Sequence, residues 1–228
     1  MTGEELRQAA ARELEFRTTS YAEAKEHAAR LDKLLGLDIA SIELDLLEAE
    51  SEHQASDPEA RPQQRWIGFA HQTFLTPYTE LVELTRELAP KAGELWVDLG
   101  AAYGRLGVVL GLRHPETRFV GYELVEPRVA AGRALFDRLA LPHATLLVQD
   151  LVDPTFAPPE ADVYFIYDFG TQHAVEKSLH DLQQIARKRP ITVVARGRGA
   201  RSWIERGHPW LASVNAPVHH AHYSVYKS

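Results

Sequence analysis

Apolar residues recur with a helical period through the first third of the chain. Ala24, Ala28, Leu31 and Leu35 fall at 4-3-4 spacing, and Gly36 stands where a helix needs a left-handed C-cap. Ile39, Ile42, Leu46 and Ala49 follow at 3-4-3 spacing, with Asp38 as N-cap. The polar run Ser51–Pro62, with its two prolines, reads as a linker. Thr76-Pro77 then predicts a helix start, an N-cap followed by proline at the first helical position. Leu81, Leu84 and Leu88 form that helix's stripe, and Ala89-Pro90 stops it.

Beyond this point short apolar runs alternate with helical patterns. Strands are predicted at Glu94–Leu99, Arg118–Glu123, Ala144–Gln149, Asp162–Tyr167 and Ile191–Arg196. Helices are predicted around Arg105–Arg113, Arg128–Leu139 and Gln172–Arg187. Such alternation predicts a parallel sheet covered by helices on both faces. Trp210–Val214 and Val218–Tyr226 read as a closing antiparallel pair joined across Asn215-Ala216-Pro217. The expected architecture is α/β, a Rossmann-like doubly wound seven-stranded sheet of five parallel strands plus a terminal antiparallel pair. An N-terminal helical segment (1–65) would precede the sheet domain (66–228).

Charge sharpens this division. The chain has 228 residues and a net charge of −7, and residues 1–65 hold 8 Lys/Arg against 15 Asp/Glu. No Lys or Arg lies between Lys33 and Arg61, while Asp38, Glu43, Asp45, Glu48, Glu50, Glu52, Asp57 and Glu59 do. This is either a solvated helix face or a surface that attracts a lysine-rich partner. The later cluster Arg187, Lys188, Arg189, Arg196, Arg198, Arg201 and Arg206 lacks aromatics interleaved at regular spacing, so no nucleic-acid partner is expected. With no cysteine, disulfides, thiolate metal sites and cysteine nucleophiles are excluded. The N-terminus does not read as a secretory signal, and no stretch reads as a membrane span. The expectation is a cytoplasmic protein.

The chemistry concentrates in Leu95-Trp96-Val97-Asp98-Leu99-Gly100-Ala101-Ala102-Tyr103-Gly104, an apolar strand ending in an acid before a small-residue loop that opens a helix. Small residues let a ligand approach the backbone, and the helix start offers unpaired N–H groups. Glu123 ends the next strand, where a carboxylate can accept both hydroxyls of a ribose. The glycines run Gly100-x-x-x-Gly104-x-x-Gly107 rather than G-x-G-x-x-G. Asp98 would repel a pyrophosphate yet suit a cationic ligand, which weighs against a nicotinamide oxidoreductase.

Val97-Asp98-Leu99-Gly100-Ala101-Ala102-Tyr103-Gly104 resembles motif I of the class I S-adenosylmethionine-dependent methyltransferases, with Ala102 where the family has its middle glycine. Glu123 matches the family's ribose-binding acid. Gln149-Asp150-Leu151 resembles its third-strand end, and Asp162–Phe169 its motif IV. The resemblance spans roughly residues 76–228 and implies S-adenosylmethionine as cofactor. It places Asp98, Gly100, Ala101, Gly104, Glu123, Leu124, Asp150 and Leu151 at the cofactor, with Thr76, Tyr78 and Asp168 beside it. Tyr167 and Asp168 fall on the acceptor side as catalytic candidates. No Asn/Asp-Pro-Pro-Tyr/Phe signature occurs, which disfavours adenine or amide nitrogen as acceptor.

Phe74-Leu75-Thr76-Pro77-Tyr78 and the aromatic-flanked motif IV are more loosely similar to the non-SET lysine methyltransferases of the disruptor-of-telomeric-silencing type and their archaeal relatives. That similarity implies a protein lysine amine as acceptor, deprotonated among Tyr78, Tyr167 and Phe169. The alternatives are a small-molecule hydroxyl, carboxylate or amine acceptor, and a non-catalytic S-adenosylmethionine-binding protein. The cationic stretch Arg196-Gly197-Arg198-Gly199 stands where a metal-dependent O-methyltransferase needs Asp-Asn, so no metal is expected. His219, His220 and His222 do not share one strand face. The N-terminal helices would lid the site or form a homodimer.

Overall fold

The computed structural model describes residues 2–56 and 67–228. Helix α1 (Gly3–Glu13) opens on a capping box in which Thr2 accepts from Glu5 N–H and Glu5 reaches back to Thr2 N–H. Helix α2 (Tyr21–Leu34) is capped by Ser20 and ends at Gly36, at φ 68°. There Leu37 N–H donates to the Asp32 carbonyl and Gly36 N–H to that of Lys33, the pair of bonds that defines a Schellman close. Asp38 caps helix α3 (Ile39–Ser56) through Ser41 N–H. That helix runs through Ser51–Ser56, half of the stretch expected as linker, while residues 57–62 lie outside the described residues.

Helix α4 (Tyr78–Leu88) starts one position later than the sequence suggests. Pro77 is itself the N-cap, extended at ψ 145°, because the Thr76 carbonyl is turned inward to accept from Arg105. The strands follow at β1 (Leu95–Leu99), β2 (Arg118–Glu123), β3 (Ala144–Val148), β4 (Val163–Tyr167) and β5 (Thr192–Arg196). Between them lie α5 (Arg105–Arg113), α6 (Glu126–Arg138) and α7 (Gln172–Ala186). After β5 come α8 (Arg198–Gly207), a 3-10 turn at Pro209–Ala212, β6 (Val218–His219) and β7 (Tyr223–Lys227). The sheet order is β3-β2-β1-β4-β5-β7-β6, with β1 to β5 parallel and β7 antiparallel to both β5 and β6.

Two expectations fail near the C-terminus. Trp210–Val214 is not a strand; it lies in and just past the 3-10 turn, which buries Leu211 completely. Both antiparallel strands come instead from Val218–Tyr226 and its continuation to Lys227, with the reversal at residues 220–222, where His220 N–H donates to Tyr223 O. The arginine-rich stretch after β5 forms α8, whose Ala200 and Ile204 face inward at helical spacing while Arg198 and Arg206 face out.

Alternation along the strands divides the core into two. Trp96, Phe119, Phe165, Val194 and Val225 face one cluster, and Val97, Leu99, Tyr164, Ile166 and Val193 the other. Leu6, Ala10, Leu14, Ala28, Leu31 and Leu35 of the N-terminal helices belong to the first, together with Leu81, Leu84 and Val109. Among the described residues no helix is long and apolar enough to cross a membrane.

Because α2 shares that cluster, Leu31→Ala should destabilise the chain by about 2–5 kcal/mol. Circular dichroism and tryptophan fluorescence followed together in urea should show one shifted transition. Two separated transitions would mean that the helices and the sheet unfold independently.

Candidate functional site

Strand order reverses between β1 and β4, so the crevice beyond their carboxyl ends is where this architecture places a ligand. Asp98 lies near that end of β1, with Gly121 and Phe165 opposite it on the flanking strands. The loop that follows alternates in hand: Gly100 at φ 90°, Ala102 at φ 46° and Gly104 at φ 76°. Gly100 and Ala101 both donate to the Tyr122 carbonyl at 2.9 Å, holding the loop on β2. Ala102 occupies a left-handed conformation that costs a non-glycine residue about 1 kcal/mol. Its N–H donates at 3.0 Å to Glu123 Oε2, which retains it there.

Asp98 is buried, and its Oδ1 has no hydrogen-bond partner among the described residues. Burial, and then the neighbouring Glu123 carboxylate, push its pKa up to about 8. Glu123 is equally buried, and its two oxygens accept from Ala102 N–H and, at 3.0 Å, from Val125 N–H. Burial raises its pKa, while the Arg128 guanidinium and those amides pull it back down. A carboxylate offers about four acceptor sites, so two backbone bonds leave capacity for a ligand's hydroxyls.

The carboxyl end of β1 opens on a cavity of about 30 Å³, lined by Phe74, Leu75, Thr76, Leu81, Asp98, Gly100–Leu106 in part, Phe165 and Tyr167. Phe169 roofs the glycine turn so closely that a Cβ at Gly100 would meet its Cβ at 2.2 Å. The structure thus brings Thr76, Asp98, Gly100, Ala101 and Tyr167 to one cavity, with Gly104 and Glu123 adjoining through the loop.

Tyr78, Leu124, Asp150, Leu151 and Asp168 do not line that cavity. Tyr78 has no exposed surface; its hydroxyl donates to Asp32 at 2.9 Å and Arg105 stacks on its ring. Leu124 and Asp150 are exposed beyond β2 and β3, where Asp150 accepts from Val152 N–H. Leu151 is buried in the opposite core cluster with Tyr122. Asp168 accepts from Gly199 N–H at 3.2 Å and Ala200 N–H at 2.6 Å, serving as a tertiary cap on α8. Tyr167 donates to the Thr73 carbonyl at 2.8 Å while Arg196 lies 4.2 Å from its ring centre.

Sequence reasoning missed the residues that frame the cavity from outside. Asp32 pairs with Arg105, and Glu43 takes both Nε and Nη2 of Arg128, at 2.8 and 2.9 Å. Glu80 takes Arg196, to which the Tyr21 hydroxyl is also bonded. One signal was present: Glu43 follows Ile42 on the inward stripe that also carries Ile39 and Leu46. The histidines diverge, His219 to Ser224, His220 to Glu87 and His222 onto Tyr21. No group of three potential metal ligands forms among the described residues.

The sheet order and its antiparallel β7 give the chain the Rossmann-like fold of the S-adenosylmethionine-dependent methyltransferases. No protein-family model matches the chain, and no curated protein does. Among solved structures, TrmN from Thermus thermophilus aligns at 16% identity over 67% of this chain and 48% of its own, with a TM-score of 0.50. The chain thus spans about half of that protein, and at such identity the likeness concerns the fold alone. The C-terminal domain of precorrin-6Y C5,15-methyltransferase from Rhodobacter capsulatus aligns at 17% identity over 67% and 88%, with a TM-score of 0.49.

The Asp98 geometry sets a pH dependence. A carboxyl whose folded pKa lies above its unfolded value loses stability as pH rises from about 4 to about 8, because ionisation is opposed only in the folded state. Asp98→Asn should therefore match the parent near pH 4 and exceed it at pH 8.5 by on the order of a few kcal/mol. Thermal melts across that range check this, and equal curves at both ends would remove Asp98 from the balance.

Proposed function

We propose that the chain is an S-adenosylmethionine-dependent methyltransferase, and that its acceptor is a lysine amine of a protein. The observation that carries the cofactor assignment is Asp98, a buried strand-end carboxylate with an unpartnered oxygen beside a small-residue loop. An excess of buried acid at that point favours a ligand with a cationic centre and disfavours a dinucleotide pyrophosphate. Glu123 keeps acceptor capacity for vicinal hydroxyls. Bound S-adenosylmethionine would supply an activated methyl group on a cationic sulfur. The chain's own part is to orient, exclude water and leave the nucleophile partly desolvated.

The acceptor reading rests on charge. Part of the acidity of residues 1–65 is internal, since Asp32 and Glu43 meet buried arginines and Glu15 meets Arg86 and Arg113. Asp38, Asp45, Glu48 and Glu52 remain exposed on and before α3, whereas Asp57 and Glu59 lie outside the described residues. An exposed acidic row suits a lysine-rich substrate. Tyr78 and Asp168 no longer support this reading, being engaged with Asp32 and with α8. A small-molecule amine, hydroxyl or carboxylate is the alternative acceptor. A non-catalytic binding protein is favoured by one observation, the commitment of both Tyr167 and Asp168 to internal hydrogen bonds.

Calorimetric titration with S-adenosylmethionine, S-adenosylhomocysteine and NADH tests the cofactor. The first two should bind and NADH should not, and Glu123→Ala should weaken binding roughly 30- to 100-fold, the loss of hydrogen bonds to a charged group. Binding of NADH alone would overturn the assignment. Transfer of labelled methyl to lysine-rich proteins, absent with acetylated ones, supports the acceptor. Binding without transfer to any acceptor would leave the non-catalytic reading standing.

A further inference from the structure

Glu123 does not sit against its cavity alone. Behind it Arg128, in the first turn of α6, is 1% exposed, and its Nη1 lies 3.8 Å from Glu123 Oε1, beyond hydrogen-bonding reach. The guanidinium is instead held bidentate by Glu43, which arrives from α3 and also accepts from the Tyr103 hydroxyl at 2.7 Å. Phe74 faces the same guanidinium, 5.3 Å away. Two acids, Glu123 and Glu43, thus flank one arginine that is hydrogen-bonded to only one of them. Both Glu123 oxygens already carry a backbone N–H, so the free acceptor positions on Oε1 lie open to whichever donor comes nearest.

We propose that Glu43, acting through Arg128, is a positioning residue for Glu123: by claiming the guanidinium it keeps the Glu123 carboxylate free for a ligand's hydroxyls, which makes the N-terminal segment part of the site. The proposal rests on the methyltransferase reading for the ligand's identity, but not for the coupling between these three side chains. Without the Glu43 charge, Arg128 needs to move less than 1 Å to bond Glu123 Oε1 directly. It would then occupy an acceptor position and bring a positive charge against a cationic ligand. Removing the arginine as well should undo both effects. A merely structural Glu43 would behave in the opposite way, since deleting the second partner would add damage.

The test uses the full chain with carbon-13-labelled glutamate, the Glu123 carboxyl signal assigned through Glu123→Gln. In ligand-free protein Glu43→Gln should lower the Glu123 titration midpoint, and Glu43→Gln combined with Arg128→Gln should raise it above the parent's. By calorimetry with S-adenosylmethionine, Glu43→Gln should lose about tenfold in affinity, and the double variant should recover to within about threefold of the parent. Glu43→Asp, which keeps the charge, should stay near the parent and serves if the glutamine variant does not fold. An unmoved midpoint in Glu43→Gln overturns the proposal. So does an affinity that falls further in the double variant. A parent chain that binds no S-adenosylmethionine overturns the methyltransferase reading instead, and the titration midpoints then decide the coupling by themselves.

Discussion

The buried pair of Arg105 and Asp32 is the contact on which the arrangement of the molecule turns. Arg105 begins the helix after the glycine loop, and Asp32 lies in the last turn of α2, so one ion pair fixes the N-terminal helices to the loop. The same guanidinium donates to the Thr76 carbonyl and to Gln72, which sets the path of the chain into α4. Tyr78 donates to the same aspartate and lies under the arginine. Breaking such a pair from one side leaves an uncompensated buried charge, at a cost of about 3–5 kcal/mol. Glu43 with Arg128, and Glu80 with Arg196, repeat the device along the same rim of the sheet.

These pairings recast the acidity of the N-terminal segment. Its buried acids neutralise arginines of the sheet domain and Glu15 meets two more, while Asp45, Glu48 and Glu52 stay exposed on α3. At the loop itself the balance is left uneven. Asp98 has an unbonded oxygen, Glu123 is bonded only by backbone amides, and the nearest cation is held by Glu43. Burial holds the Asp98 carboxyl protonated in the free protein, and a cationic ligand would favour its ionised form, so a group that is costly to ionise alone gains from such a ligand.

Much of the fold was legible because its causes are local. Strands β1, β2, β4 and β5 follow from apolar runs bounded by turn residues, and the Schellman close at Gly36 from one glycine in place. The glycine loop was legible for the same reason, with Ala102 as the one position where a left-handed backbone is held against its side chain. Pro77 shows where local reasoning falls short, because its frame depends on the Thr76 carbonyl being drawn to Arg105. So does Trp210–Val214, whose apolar pattern suits a strand but whose Leu211 is buried as part of a 3-10 turn.

The sequence by itself determined the alternation of strands and helices, the glycine loop with its flanking Asp98 and Glu123, and the uneven placement of charge. These depend on period, on backbone freedom at single residues and on composition. Only the tertiary structure decided which charges meet. Asp32 and Arg105 are 73 residues apart, and Glu43 and Arg128 are 85 apart, so no spacing rule relates them. It likewise withdrew Tyr78 into the core and turned Asp168 onto α8. Burial and pairing of a polar group are properties of the surface packed against it, and that surface exists only once distant helices have docked.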